Sequence, residues 1–85
     1  MYSIEQIKQK VKEFIKETSY ISEEQISNDS LIFVEGIMDS MGFISIIDFL
    51  EESFSVTAND NELVESNFES IDAISNFIFR KQMES

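Results

Sequence analysis

The sequence contains no cysteine, histidine, proline or tryptophan, and only two glycines. Without cysteine there is no disulfide framework and no thiolate for nucleophilic or metal chemistry. Without histidine the commonest general base and the commonest transition-metal ligand are both missing. Basic residues are scarce as well: six Lys and Arg stand against seventeen Asp and Glu, a formal charge of −11. An excess of this size opposes binding to nucleic acid and to anionic membranes, and favours solubility and basic protein partners. No apolar run approaches the ~20 residues of a membrane-spanning helix. The first residues, Met1-Tyr2-Ser3-Ile4-Glu5, lack the basic-then-apolar order of a signal peptide. A cytoplasmic address is expected, and chemistry by the chain's own side chains is not.

What remains can build one small core. Eighty-five residues make a single domain, 1–85, and a domain of this size buries about 60–65% of its unfolded surface. The apolar content is 42%, with eight phenylalanines. Ile4, Ile7, Val11, Phe14 and Ile15 recur at helical spacing behind Ser3, a good N-cap, and the pattern fades near Thr18. Four of the five lysines (Lys8, Lys10, Lys12 and Lys16) fall in this first helix, so the rest of the chain is more acidic than the average. Residues 19–39 show no sustained period, although Ser22-Glu23-Glu24-Gln25 fits a capping box and one short helical turn. A connection this long inside a small domain is unusual unless it is functional. Its apolar residues are numerous enough to lie over the core.

A second helix is expected from Asp39 or Ser40. Asp39 suits its N-cap, Met38 and Phe43 take the staple positions, and Phe43, Ile46, Ile47, Leu50 and Phe54 form its apolar stripe. Ser55-Val56-Thr57 ends it, and Asn59-Asp60-Asn61 is turn chemistry. One short helical turn is expected at Glu62-Leu63-Val64-Glu65. Ser70 then caps a last helix with Ile71, Ile74, Phe77 and Ile78 buried, Asp72 near its positive end, and Arg80 and Lys81 near its negative end. Phe14, Phe54, Phe68 and Phe77 are expected in the core. The reading is an all-α four-helix bundle of three main helices and one short one, with a long first loop. It is expected to be free-standing, because the first helix begins near Met1 and the last ends near Ser85, and monomeric, because of its charge.

The informative stretch is Gly36-Ile37-Met38-Asp39-Ser40-Met41, which leads into a helix ending Leu50-Glu51-Glu52-Ser53-Phe54 and is followed later by Phe68-Glu69-Ser70-Ile71. This resembles the acyl carrier and peptidyl carrier family, whose signature is Asp-Ser-Leu at the start of the second helix and Leu-Glu-x-x-Phe at its end. The likeness covers nearly the whole chain. A lone Asp-Ser pair is a weak motif; the pair, the helix ending and the element order together are more specific.

The resemblance implies that Ser40 carries a covalent 4′-phosphopantetheine arm, which supplies the thiol this chain lacks and holds acyl intermediates as thioesters. It implies that Asp39 is a contact for the phosphopantetheinyl transferase, although capping alone accounts for an Asp there. It also implies that the second helix docks basic patches on loading and condensing enzymes. Here Met41, Ile44, Asp48, Glu51 and Glu52 are the docking candidates. Many fatty-acid carriers have Glu where Ser45 stands, and often an apolar residue where Asp48 stands. The departure leans toward a specialised pathway rather than ordinary fatty-acid synthesis. Two other readings stay open: a peptidyl or aminoacyl carrier, and an unmodified acidic interaction module with the same fold. Calcium binding at Asn59-Asp60-Asn61-Glu62 is disfavoured, because the required turn glycine and bidentate glutamate are missing. No metal site and no catalytic residue is expected. For Gly42, substitution by Ala is expected to stabilise the helix by up to ~1 kcal/mol if the helix is regular there, and to destabilise it if the glycine makes a close contact.

Overall fold

The computed structural model of the chain describes residues 2–84, apart from the side chain of Glu23. Met1 and Ser85, the ends from which a free-standing chain was inferred, lie outside the described residues. Four α-helices follow one another: α1 (Ile4–Ser19), α2 (Ser40–Phe54), α3 (Glu65–Phe68) and α4 (Ile71–Glu84). Single 3₁₀ turns at Glu23–Gln25 and Asp60–Glu62 punctuate the first and second connections, and there is no strand among the described residues.

Local chemistry explains most of the boundaries of the three long helices. Ser3 and Gln6 form a reciprocal box: the Gln6 N–H donates to Ser3 Oγ (3.2 Å) and the Ser3 N–H to Gln6 Oε1 (2.9 Å). α1 stops where Tyr20 turns left-handed (φ 57°). α2 stops in the same way at Ser55 (φ 56°), where the amides of Ser55 and Val56 return to the carbonyls of Glu51 and Leu50. Ser70 Oγ accepts the Ala73 N–H at 3.0 Å and opens α4. At Ser22 the expected box is half formed. Gln25 Oε1 takes the Ser22 N–H (2.9 Å), but the Gln25 N–H donates to the Ser22 carbonyl, as a 3₁₀ turn requires.

The short third helix lies later than expected. The stretch 62–65 divides: Asn59-Asp60-Asn61-Glu62 closes a capped 3₁₀ turn, Leu63 turns tightly (φ −81°, ψ 62°) with the Val64 N–H on the Glu62 carbonyl at 2.9 Å, Val64 is extended, and α3 begins at Glu65. Glu62 is drawn into the earlier turn because its carboxylate accepts the Asn59 N–H at 2.8 Å and Lys81 Nζ at 3.0 Å.

The core joins Ile7, Val11 and Ile15 of α1 with Ile46, Leu50 and Phe54 of α2, Phe68 of α3, and Ile71, Ile74, Phe77 and Ile78 of α4. Ile26, Ile32 and Met38 from the long connection and Val56 just after α2 complete it, so the long connection is packed. Three backbone bonds stitch it down: Ile32 N–H to the Glu69 carbonyl, Met38 N–H to the Ile32 carbonyl, and Asp72 N–H to the Asn28 carbonyl, each 2.9 Å. These side chains and bonds are irregular in sequence, which is why no period marks them. Phe14 departs from expectation. It is half-buried and stacks on Phe49 at 4.3 Å and 15°, at the edge of the core. On α2 the buried positions are Gly42, Ile46, Leu50 and Phe54, while Phe43 and Ile47 flank them half-buried. The Cα radius of gyration is 11.8 Å, against about 12 Å for a well-packed chain of this length.

Candidate functional site

The start of α2 is where the sequence concentrates its unusual features. Gly36 takes a left-handed angle (φ +78°) in a turn closed by the Glu35 N–H on the Leu31 carbonyl (2.8 Å) and the Gly36 N–H on the Phe33 carbonyl (3.3 Å). A side chain would strain that backbone although there is open space around it. The turn delivers Met38 inward, 6% exposed, and places Asp39 at the N-cap in extended conformation. Asp39 Oδ1 then accepts the Gly42 N–H at 3.0 Å, and the Asp39 carbonyl accepts the Phe43 N–H at 3.1 Å.

Four amides open a helix without intrahelical partners. Here that of Gly42 is satisfied by the Asp39 side chain, and those of Ser40 and Met41 have no partner among the described residues. Ser40 itself is the first helical residue. It is exposed, and its hydroxyl makes no hydrogen bond among the described residues. The result is an accessible hydroxyl beside two open N–H groups at the positive end of a fifteen-residue helix.

Met38 is wedged against this start. Its thioether accepts the Ser19 hydroxyl at 2.9 Å, linking the end of α1 to the entry of α2. It also fills the space where Gly42 has no side chain: a Cβ there would meet Met38 Cε at 2.8 Å. Gly42 therefore makes a close contact and is not a generic helix glycine.

Two open grooves flank Ser40. One, of about 610 Å³, has walls of Phe33, Met38 and Phe43 with the Asp39 and Glu65 carboxylates at its edge. Phe33 and Phe43 meet edge to face at 5.9 Å, and Phe43 rests on the buried Phe68 at 5.3 Å. The other, of about 320 Å³, runs between the end of α1 and the first turns of α2, past Ser19, Met41 and Ser45. Phe33 and Glu65 were not anticipated as neighbours of Ser40. They come from an aperiodic loop and from a helix one turn long, and no local pattern marks either one.

The docking candidates on α2 are brought together. Met41, Ile44, Asp48, Glu51 and Glu52 recur at three- and four-residue steps, so they share one side of the helix. All five are exposed, Met41 by 69% and Ile44 by 55%. Among the described residues no three carboxylates converge on a point that could hold a metal ion. Glu62, at the far end of the second connection, has a carboxyl held below the ordinary glutamate range. The Asn59 N–H lowers it most and the Lys81 ammonium adds to this. No described helix is long and apolar enough to cross a membrane. No protein-family model matches the chain, and no curated protein matches it.

Proposed function

We propose that this chain is a carrier that holds acyl intermediates as thioesters on a 4′-phosphopantetheine arm attached to Ser40. In this reading it delivers them to partner enzymes of fatty-acid or specialised biosynthesis and is not itself an enzyme. The observation that carries the reading is the unpartnered Ser40 hydroxyl on the first residue of α2, beside the open amides of Ser40 and Met41. A phosphodiester at that oxygen is an anion next to two donors and a positive helix end, which favours it. The carboxylate of Asp39 is tied through Oδ1 to the Gly42 N–H and the residue is exposed, so a transferase and its metal can still meet it.

The arm supplies a thiol, the one nucleophile of this chemistry that a chain without cysteine does not provide. The groove walled by Phe33, Met38 and Phe43 begins at Ser40, so an arm that lies back on the protein has an apolar surface beside its attachment point. Partners approach along α2, where Met41 and Ile44 offer apolar contact next to Ser40 and Asp48, Glu51 and Glu52 offer charge beyond it. An acidic carrier meeting basic enzyme patches associates quickly and with strong salt dependence. A cytoplasmic setting, where coenzyme A and such enzymes occur, fits this reading.

Intact mass spectrometry tests it. The purified protein is incubated with coenzyme A and a broad-specificity phosphopantetheinyl transferase, alongside Ser40→Ala. A mass gain of one phosphopantetheine in the parent and none in the variant is expected. No gain in the folded parent with several transferases would leave the chain as an acidic interaction module.

A further inference from the structure

A third groove, of about 490 Å³, lies between α1 and α2 below the one that passes Ser45. Its sides are two carboxylate pairs, Glu13 and Glu17 on α1 and Asp48 and Glu52 on α2. Each pair is spaced four residues apart, so both lie along the groove about one helical turn apart. Between them sit Phe14 and Phe49, half-buried and stacked at 4.3 Å with their planes 15° apart. Phe49 is braced edge-on by the buried Phe54 at 5.6 Å, so the aromatic pair is fixed in place. Glu17, Asp48 and Glu52 have no ion-pair or hydrogen-bond partner among the described residues, and Glu13 accepts only from Gln9 Nε2 at 2.9 Å. Lys10 is the one cation at the rim, and its ammonium lies over the Tyr2 ring at 5.3 Å.

We infer that this groove docks an arginine-bearing segment of a basic partner protein. An apolar segment would strip water from unpaired carboxylates and return nothing. A compact metal ion has no converging set of ligands here. A guanidinium meets every feature: it packs on the part of the phenyl pair that lines the groove, and its fork of N–H donors takes a carboxylate on either side. A lysine ammonium satisfies the charge without the stacking. The groove shares Ser45 with the trough that leads to Met41 and Asp39, so a segment seated in it runs alongside the start of α2. It brings α1 into recognition, through Glu13, Glu17 and Phe14, and it stands whether or not Ser40 is modified.

The test is an amide-shift titration of the full chain with an acetylated tri-arginine amide, and with its tri-lysine equivalent, at two salt concentrations. Shifts confined to residues 10–17 and 45–53 are expected, with the arginine peptide binding about threefold or more tighter than the lysine one. Glu17→Gln with Asp48→Asn should weaken the arginine peptide by about fivefold or more. Glu24→Gln with Asp60→Asn, the same loss of charge elsewhere, should weaken it by less than about twofold. All four are exposed positions, so folding is retained, and the comparison of the two peptides needs no variant. Shifts spread over the whole acidic surface, equal weakening by the remote pair, or equal affinity for the lysine peptide would each overturn the inference.

Discussion

Replacing Gly42 by alanine sets two effects of similar size against each other, and the structure decides between them. In a regular helix, alanine is favoured over glycine by about 1 kcal/mol. The new Cβ, however, would stand 2.8 Å from Met38 Cε, 3.1 Å from Met38 Cβ and 3.2 Å from Met38 Sδ. The methyl end can rotate away. The Met38 Cβ cannot, without shifting the backbone beside Asp39, and any movement of Sδ breaks its contact with the Ser19 hydroxyl. Overpacking of this kind costs about 1–3 kcal/mol. The net expectation is a loss of about 1 kcal/mol, which lowers Tm by roughly 4–8 °C in a domain of this size. Urea unfolding followed by far-UV circular dichroism should show a lower midpoint with an unchanged slope. In a Met38→Ala background the penalty disappears, and Gly42→Ala should then gain up to about 1 kcal/mol, a coupling read directly from the double-mutant cycle. If Gly42→Ala stabilises the natural chain, the contact with Met38 is loose and the reasoning fails.

Asp39 separates capping from recognition: Asp39→Ala should cost about 1 kcal/mol, whereas Asp39→Asn keeps most of the cap. If the charge matters to the transferase, Asp39→Asn should melt near the parent yet accept the arm more slowly in the mass assay; equal rates would leave Asp39 a cap alone. Glu62 has a folded carboxyl below its unfolded value, so its contribution is present above the unfolded value and is lost as pH falls through the folded one. Melting curves taken from neutral pH down through the carboxylate range should therefore fall less steeply for Glu62→Gln than for the parent, and parallel curves would refute the assignment. With a net charge of −11, self-repulsion should lower the melting temperature at low ionic strength and salt should raise it; a midpoint that stays flat across added sodium chloride would count against this.

Most of the helical frame was legible in the sequence, because periodicity and caps report local geometry. Ser3, Asp39 and Ser70 each cap as their side chains suggest, and the buried faces of α1 and α4 follow their spacing. Legibility ended where the structure depends on contacts distant in sequence. Met38 showed as a staple residue, but Ile26 and Ile32 are core residues in a segment held by backbone bonds from Ile32 to Glu69 and from Asp72 to Asn28, and no period marks them. Glu62 looked like the start of a short helix and instead closes the turn before it, because the Asn59 N–H and the Lys81 ammonium both donate to its carboxylate. At the start of α2 the residues that carry the chemistry were visible as Asp39 and Ser40. The groove beside them was not, since Phe33 from the long connection and Glu65 from α3 meet there.

The charge layout of α2 argues that its surface is shaped for something other than its own stability. The helix has no basic residue at all, and all three of its carboxylates, Asp48, Glu51 and Glu52, lie in its second half. The negative end of the helix dipole lies there, so Glu51 and Glu52, in the last turn, oppose it by about 0.3–1 kcal/mol each when exposed, while Asp48 adds its charge one turn earlier. α1 and α4 show the reverse, with Lys16 and Lys81 in their last turns. The opposition has a use if a basic partner supplies the missing cations on docking. Glu51→Lys is the informative change, because Glu51 is exposed and lies outside the groove between α1 and α2. It should raise stability, by relief of the dipole and of the overall negative charge. It should also slow transfer of the arm by a transferase with a basic face, with the difference shrinking as salt is added. Higher stability with an unchanged transfer rate at low salt would mean that this side of α2 is solvated surface and nothing more.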